Sequence, residues 1–393
     1  MKIGKTIIAP ALIVIRTARK IVCLCAILHI SLGISQTIHA MPLNGLISIP
    51  SRDFPAKGQI YDEPIISLES SYDFAPEAVD HEGPVKNGEQ IETKRVKRYE
   101  GFHIIGDFLL QENLLINLGF WDRQIANKRD ILDFYTIQAA VQYKLPWKWF
   151  DNNYAIRLGW WRNAADALTK SSFTRTDDYK FTSLVLNEPV DNQFQLNFLV
   201  SRPLSYGTKV TAFLGVGHSN VDYKSLQGEY ADKDDCKFAF DLKQTKGVIN
   251  QIGRCKSILS RKITMPNTTS IINNVGFNPK DDIKYSSIFL QIGAGAEWKK
   301  GLWYTKIGYY FQRFYRDNVD QRVERLGNQS TKNNHSLTAE VCYRFLRPFA
   351  VFLRGEYMSS RLLTTAPFIY NSYTADRFSK DGLFFSVGFK LLR

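Results

Sequence analysis

From Gly382 to Leu392 the chain alternates without a break. Leu383, Phe385, Val387, Phe389 and Leu391 fall on one side of an extended strand, and Phe384, Ser386, Gly388 and Lys390 on the other. A period of two, apolar on one side and smaller or polar on the other, marks a strand lying between two different environments. The pattern recurs about a dozen times, in segments of roughly ten residues, the length a tilted strand needs to cross a bilayer. Only helices and closed barrels satisfy every backbone group in lipid. The pattern therefore predicts an all-β fold, an antiparallel up-and-down transmembrane β-barrel.

The start of the chain reads differently. Lys2, Lys5, Arg16, Arg19 and Lys20 are basic, no acid occurs before residue 41, Ile21 to Leu32 is apolar, and Thr37 to Ala40 ends on a small residue. Residues 1–40 are predicted to be a secretory signal peptide. A membrane anchor is the alternative, since Ile7 to Ile15 is also apolar, but neither run reaches the about 18 residues of a spanning helix. Residues 41–62 are predicted to be a short periplasmic lead, and 63–393 the barrel. Aromatics make up 13% of the chain, with 19 Tyr and 26 Phe, yet mean hydropathy is only −0.23. Barrels combine these two properties through girdles of aromatic residues at both interfaces. The net charge of +13 includes five positive charges from the leader. Export excludes nucleic acid as a partner, which leaves an anionic lipopolysaccharide surface, an anionic solute in the lumen, or solvated loop charge. Cys236 and Cys255 lie close together in one long loop and are predicted to form a disulfide in an oxidising periplasm. Cys342 is left over within a strand, as a buried thiol.

Twelve alternating segments can be placed between Ile66 and Leu391. Tight connections at Gln111–Asn113, Pro146, Arg202–Ser205, Lys299–Gly301 and Leu346–Pro348 alternate with long ones at 75–98, 122–130, 223–283, 315–333 and 361–381. Bacterial barrels use an even strand number, with short turns on the periplasmic side and long loops outside. Tyr179 to Leu186 could be a further strand, and with one more partner would give fourteen; parity favours a loop extension above the membrane.

The apolar faces carry no charge, and a Lys or Arg facing lipid at mid-depth costs about 2–4 kcal/mol. A slip of one residue would turn Arg157, Lys306, Glu340, Arg344 and Arg354 outward together, so the register is fixed. The face so assigned to the lumen holds Glu69, Asp73, Asp107, Asp133, Glu297, Glu340 and Glu356, with Arg157, Lys209, Lys306, Arg344 and Arg354. If the turn at 346–348 closes a hairpin, Glu340 lies across from Arg354. These ions either neutralise one another and fill a narrow barrel or form a selectivity constriction.

Signals for catalysis are weak. His81, His103, His218 and His335 are the histidines beyond the leader. His103 and Asp107 share a face, but at roughly 13 Å along the strand they do not bond. Beyond the leader no His-x-Ser occurs, and Asp177-Asp178 and Asp234-Asp235 read as solvated loop acids. No metal-ligand spacing, phosphate loop or nucleophile elbow is found, and no cofactor is expected.

On these features the chain resembles Gram-negative outer-membrane β-barrel proteins over 63–392. It departs from them at its end, where Phe389 is followed by Lys390-Leu391-Leu392-Arg393 rather than closing on the aromatic residue that assembly machinery reads. The stretch Pro367 to Arg377 before a last amphipathic strand resembles the barrel part of surface lipoprotein assembly modifiers, without their upstream helical-repeat domain. The resemblance implies a bacterial outer-membrane location, with membrane lipid, lipopolysaccharide and the barrel-assembly machinery as partners. The expected function is a porin-like passive channel for small solutes. A barrel whose loops bind or help export a surface protein is the alternative, and an outer-membrane hydrolase the third reading.

Overall fold

The computed structural model describes residues 66–75 and most of 98–392. Outside the description lie 1–65, 76–97, 127–130, 171–173, 176–179, 232–236, 244–246, 253–261, 266–282, 326–328, 361–366, 372–374, 376–380 and a few single positions. The predicted leader, the periplasmic lead and both Cys236 and Cys255 therefore lie outside the described residues.

Twelve strands close an antiparallel barrel. In chain order they are β1 (Ile66–Phe74), β2 (Arg98–Gln111), β3 (Leu114–Ala126), β4 (Ile131–Trp149), β5 (Asn152–Ala164), β9 (Val190–Ser205), β10 (Thr208–Asp222), β15 (Tyr285–Lys300), β16 (Trp303–Arg316), β17 (Asn333–Arg344), β18 (Phe349–Met358) and β19 (Gly382–Leu392). Closure is made by β1 against β19, with Ser67 opposite Leu392 and Phe74 opposite Phe385. The remaining strands, β6 (Ala167–Lys170), β7 (Thr174–Arg175), β8 (Lys180–Asn187), β11 (Ser225–Ala231), β12 (Lys237–Lys243), β13 (Gly247–Ile252) and β14 (Lys262–Met265), form a second sheet. Of the segment 179–186 the described part, from Lys180 on, is thus a strand, but of this second sheet, and the barrel closes at twelve. Pro146 does not end β4; it falls where the pairing with β5 shifts register, between Lys144 and Lys148. A bulge is where a strand accommodates a residue with no N–H to donate.

The alternation has the orientation that lipid requires. Leu158, Leu214 and Phe389 are 60%, 60% and 63% exposed, while Arg157, Asn197 and Glu340 on the opposite face are fully buried. A dry sandwich core would reverse that order. Outward aromatics bound the apolar belt. Tyr143, Trp298 and Trp303 lie at the end with the tight turns, and Tyr72, Tyr309 and Tyr315 at the other. Trp303 and Tyr343 touch across β16 and β17 with ring centroids 4.7 Å apart. The tight-turn end is the periplasmic side of such barrels. Its β9–β10 turn needs glycine: Gly207 has φ of 83°, and a Cβ there would stand 2.4 Å from the Lys299 carbonyl oxygen.

Asp133 corrects one assignment. Leu132 and Phe134 point inward, so Asp133 is exposed on the outer wall. Its Oδ1 accepts a hydrogen bond from Gln124 Nε2 at 2.7 Å, near the outer ends of β3 and β4. It has the parity of Tyr135 and Ile137, and an exposed acid is tolerated there because these strands run past the apolar belt. The same extension shortens the β3–β4 connection to residues 127–130, so tight and long connections do not alternate strictly.

Candidate functional site in the barrel lumen

Two rows of polar side chains cross the inner wall, each following the hydrogen-bonding direction from strand to strand. The first is charged. Lys209 lies opposite Glu297, Glu297 opposite Lys306, Lys306 opposite Glu340, and Glu340 opposite Arg354. Arg354 in turn faces Ser386, and Ser386 faces Asp73. The row starts beside the β9–β10 turn and ends one residue from the outer end of β1, because the stagger of a closed barrel makes such a row climb the bore. Signs alternate from Lys209 to Arg354, the arrangement that cross-strand neighbours favour.

The row condenses into a network at its upper half. Arg354 Nε donates to Glu340 Oε2 at 2.9 Å, and its Nη2 lies 2.8 Å from Glu69 Oε1. Lys390 Nζ donates to Glu340 Oε1 at 2.6 Å and lies 3.0 Å from Glu69 Oε2. His103 completes it, with Nδ1 at 2.7 Å from Asp73 Oδ2 and Nε2 at 3.0 Å from Glu69 Oε1. At the lower end Lys209 Nζ is 3.3 Å from Glu297 Oε2, and Lys306 Nζ is 3.9 Å from Glu297 Oε1. Bonds of this kind between desolvated ions hold only when the remaining lone pairs and protons are also met, as they are at Glu69 and Glu340.

Sequence reasoning missed the roles of His103 and Lys390. His103 was measured against Asp107 on its own strand, whereas its partners stand on β1 next door. Ser71 lies 2.9 Å from His103 Nδ1 and 3.0 Å from Nε2, beside Asp73. A nucleophilic triad needs serine on one ring nitrogen and the acid on the other. Here each nitrogen faces a carboxylate and the Ser71 hydroxyl donates to Asp73 Oδ1 at 3.0 Å, which makes His103 an ion-pairing group.

The second row is built from carboxamides. It runs through Gln142, Arg157, Asn197, Gly215, Gln291, Gln312 and Asn334, each opposite the next. Gln291 Nε2 donates to Gln195 Oε1 at 2.9 Å and also to Asn197 Oδ1, reaching over β10. Gly215 permits this: a Cβ there would fall 1.9 Å from Asn197 Oδ1. Tyr310 donates its hydroxyl to Gln291 Oε1 at 3.1 Å. Asp107 and Arg157 meet in this half through Asn117, whose Nδ2 donates to Asp107 Oδ1 at 2.8 Å and whose Oδ1 accepts from Arg157 Nη2 at 3.1 Å.

Of the lumen residues singled out from sequence, Glu340, Arg354 and Lys306 share the charged row, and Asp107 and Arg157 the carboxamide half. Arg344 stands apart, half-buried four residues nearer the periplasmic turn than Glu340. Glu356 is fully buried above Arg354, opposite Thr338 and Phe384. Neither of its carboxylate oxygens has a hydrogen-bond partner.

An apolar cap overlies both rows. Helix α1 (Val319–Arg325), between β16 and β17, and a 3₁₀ turn at Pro367–Ile369, between β18 and β19, lie at the outer mouth. Their Val319, Val323 and Phe368, with Tyr370, cluster with the inward-facing Phe134, Phe289, Phe314, Met358 and Phe384. One arginine ties cap to barrel. Arg316 of β16 pairs with Asp320 at 3.2 Å, donates to the Thr331 carbonyl at 2.9 Å, and lies 4.0 Å from the centre of the Tyr370 ring. Tyr370 donates to Asp320 Oδ1 at 2.8 Å. Burial pushes the Tyr370 phenol above its ordinary range, which keeps that proton in place. Tyr285 donates to the Pro367 carbonyl at 2.8 Å, fixing the 3₁₀ turn from the opposite wall.

No family model matches the chain, and no curated protein matches it. Solved structures do. The NanC porin is 7% identical, with 83% of this chain and 98% of that one covered and a TM-score of 0.38. The translocator domain of autotransporter NalP from Neisseria meningitidis is 10% identical over 86% and 91%, with a TM-score of 0.44. The CymD monoaromatic hydrocarbon channel is 10% identical over 85% and 89%, with a TM-score of 0.34. These are likenesses of fold alone. Closure at twelve antiparallel strands with an apolar outer belt is the decisive observation. The fold is that of a transmembrane β-barrel.

Proposed function

We propose that this barrel is an outer-membrane channel for small polar solutes, closed at its outer mouth in the state described. The observation that carries the reading is a set of unmet hydrogen-bonding atoms in the carboxamide half. Gln138 Oε1, Gln195 Nε2, Asn197 Nδ2, Gln312 Oε1 and Thr211 Oγ1 are buried without a partner. Buried polar atoms are otherwise paired by protein or water, and a bore lined with free donors and acceptors suits waters and a hydrogen-bonding solute. A barrel that needed only filling would be served equally well by apolar side chains. Conductance of the purified protein in a planar bilayer tests this. Discrete openings support it, and silence at high protein load, both for wild type and for a variant with the cap loosened, refutes it.

Arg162 and the exposed Arg313 face outward beyond the apolar belt on β5 and β16. That placement supports lipopolysaccharide phosphates as the surface partner of the wall. A second reading rests on the second sheet, whose end strand β14, among the described residues, pairs on one side only, with β13. A sheet edge offers a strand from another protein a place to add. Replacing 225–265 with a short turn separates the two readings: conductance survives the excision if the barrel is the working part.

A further inference from the structure

The charged network leaves one acid out. Glu356 is fully buried, and neither oxygen is bonded. Among the described residues the neighbouring cations are already committed: Arg354 to Glu340 and Glu69, Lys390 to the same two, and His103 to Asp73 and Glu69. Ser386, diagonally across on β19 and opposite Arg354, is also buried with its Oγ unpartnered. An ionised carboxylate held away from water without a counter-charge is costly. Its position therefore calls for a positive guest.

The surroundings say what kind. Glu356 sits at the boundary between the polar bore and the cap. On its upper side are Met358, the next inward residue of β18, and Phe384, directly opposite on β19. Tyr99 of β2 stands edge-on to Phe384 at 4.9 Å between centroids. All three belong to the apolar cluster of the cap. Among the described residues no group of three or more His, Cys, Asp or Glu side chains could hold a metal ion. One acid and one hydroxyl below, with aromatic and thioether surface above, match an ammonium group carried on an apolar body.

We infer that Glu356 and Ser386 form the floor of a binding site for an organic ammonium ion, which enters from the outer mouth when the cap lifts. The site rests on the channel reading for its access route, but its occupancy can be measured without conductance. The experiment is calorimetric titration of the purified barrel in detergent with 2-phenylethylammonium chloride, with benzyl alcohol and potassium chloride as controls. Wild type binds the amine, Glu356→Gln binds it at least about tenfold more weakly, Ser386→Ala weakens it by a smaller factor, and neither control binds. Equal affinity in wild type and Glu356→Gln overturns the inference, as does benzyl alcohol binding as well as the amine, or no amine binding by wild type. Gln has the shape of the protonated acid, so Glu356→Gln without ligand should melt no lower than wild type; a clear loss of stability would show that Glu356 already has a counter-charge, and would also overturn the inference. A barrel that binds the amine but never conducts would refute the channel and leave the site standing.

Discussion

The two rows of the lumen meet one requirement, pairing polar groups away from bulk solvent, in opposite ways. In the charged row partners stand opposite one another on adjacent strands, as Arg354 and Glu340 do, and the long side chains also reach over a strand unaided, from Lys390 on β19 to Glu340 on β17 and from Arg354 on β18 to Glu69 on β1. In the carboxamide row the central contact passes over a strand, from Gln291 on β15 to Asn197 on β9, and exists only because Gly215 leaves the space. Around Glu69 and Glu340 the charged network is closed by Arg354 and Lys390, whereas the carboxamide half leaves amide atoms without a partner at Gln138, Gln195, Asn197 and Gln312. The difference separates the part of the lumen that holds the barrel together from the part a solute can address.

The sharpest way to break that comparison is to remove one ion. Arg354→Met leaves Glu69 and Glu340 with Lys390 as their remaining strong cation and should cost about 3–5 kcal/mol, the usual penalty for stranding a buried charge. Unfolding by urea in lipid vesicles measures it. Adding Glu340→Leu should restore much of the loss, since an apolar pair of similar volume replaces a buried ion pair at little net cost. Additive losses would show that the row does not act as a unit.

A control on the other side of the wall comes next. Leu214→Lys places a charge in the lipid belt and should cost about 2–4 kcal/mol. Thr211 shares its strand but faces inward with a free hydroxyl, so Thr211→Asn should leave stability nearly unchanged and alter conductance instead. Equal destabilisation by both would contradict the assigned faces.

The same contrast explains what could be read from the sequence. All twelve barrel strands were legible, because lipid enforces a strict period of two. The Glu340–Arg354 pair was legible because the turn at 346–348 fixes the register between its strands. The His103 cluster was not, since β1 and β2 are joined by a long connection whose length sets no register, and Lys390 meets Glu69 only through barrel closure. Of the second sheet only the segment near Leu186 was legible as a possible strand; the rest escaped because its strands are short, four to seven residues in β11 to β14, and the alternation of Leu226, Tyr230, Phe240 and Leu242 that its own core imposes is too brief to stand out within a long connection. Helix α1 has apolar residues at Val319 and Val323 alone, one turn apart, too short a repeat to separate a helix from a charged loop.

Gly215→Ala tests the carboxamide row itself. Its Cβ would meet Asn197 Oδ1 at 1.9 Å and Gln291 Nε2 at 2.8 Å, so the contact over β10 must open. Crowding of this kind costs about 1–3 kcal/mol, less than the loss of an ion. The electrical readout is the more telling one: if this row carries solute, single-channel conductance should change for Gly215→Ala while ion selectivity, set by the charged row, stays as in wild type. A shift in selectivity with conductance unchanged would reverse the two assignments.

The smallest expected effect lies at the cap. Tyr370→Phe keeps the ring over Arg316 but removes the hydroxyl that donates to Asp320 and accepts from the Thr331 N–H. A buried hydrogen bond is worth about 1 kcal/mol, which corresponds to roughly a fivefold shift between closed and open mouths if the bond exists only when the cap is seated. The barrel wall does not depend on Tyr370, so its stability should hold while the time spent open rises. Because Asp320 would keep its ion pair with Arg316 at 3.2 Å, Arg316→Met should open the mouth further than Tyr370→Phe. The reverse order would place the lock in the hydroxyl rather than in the arginine.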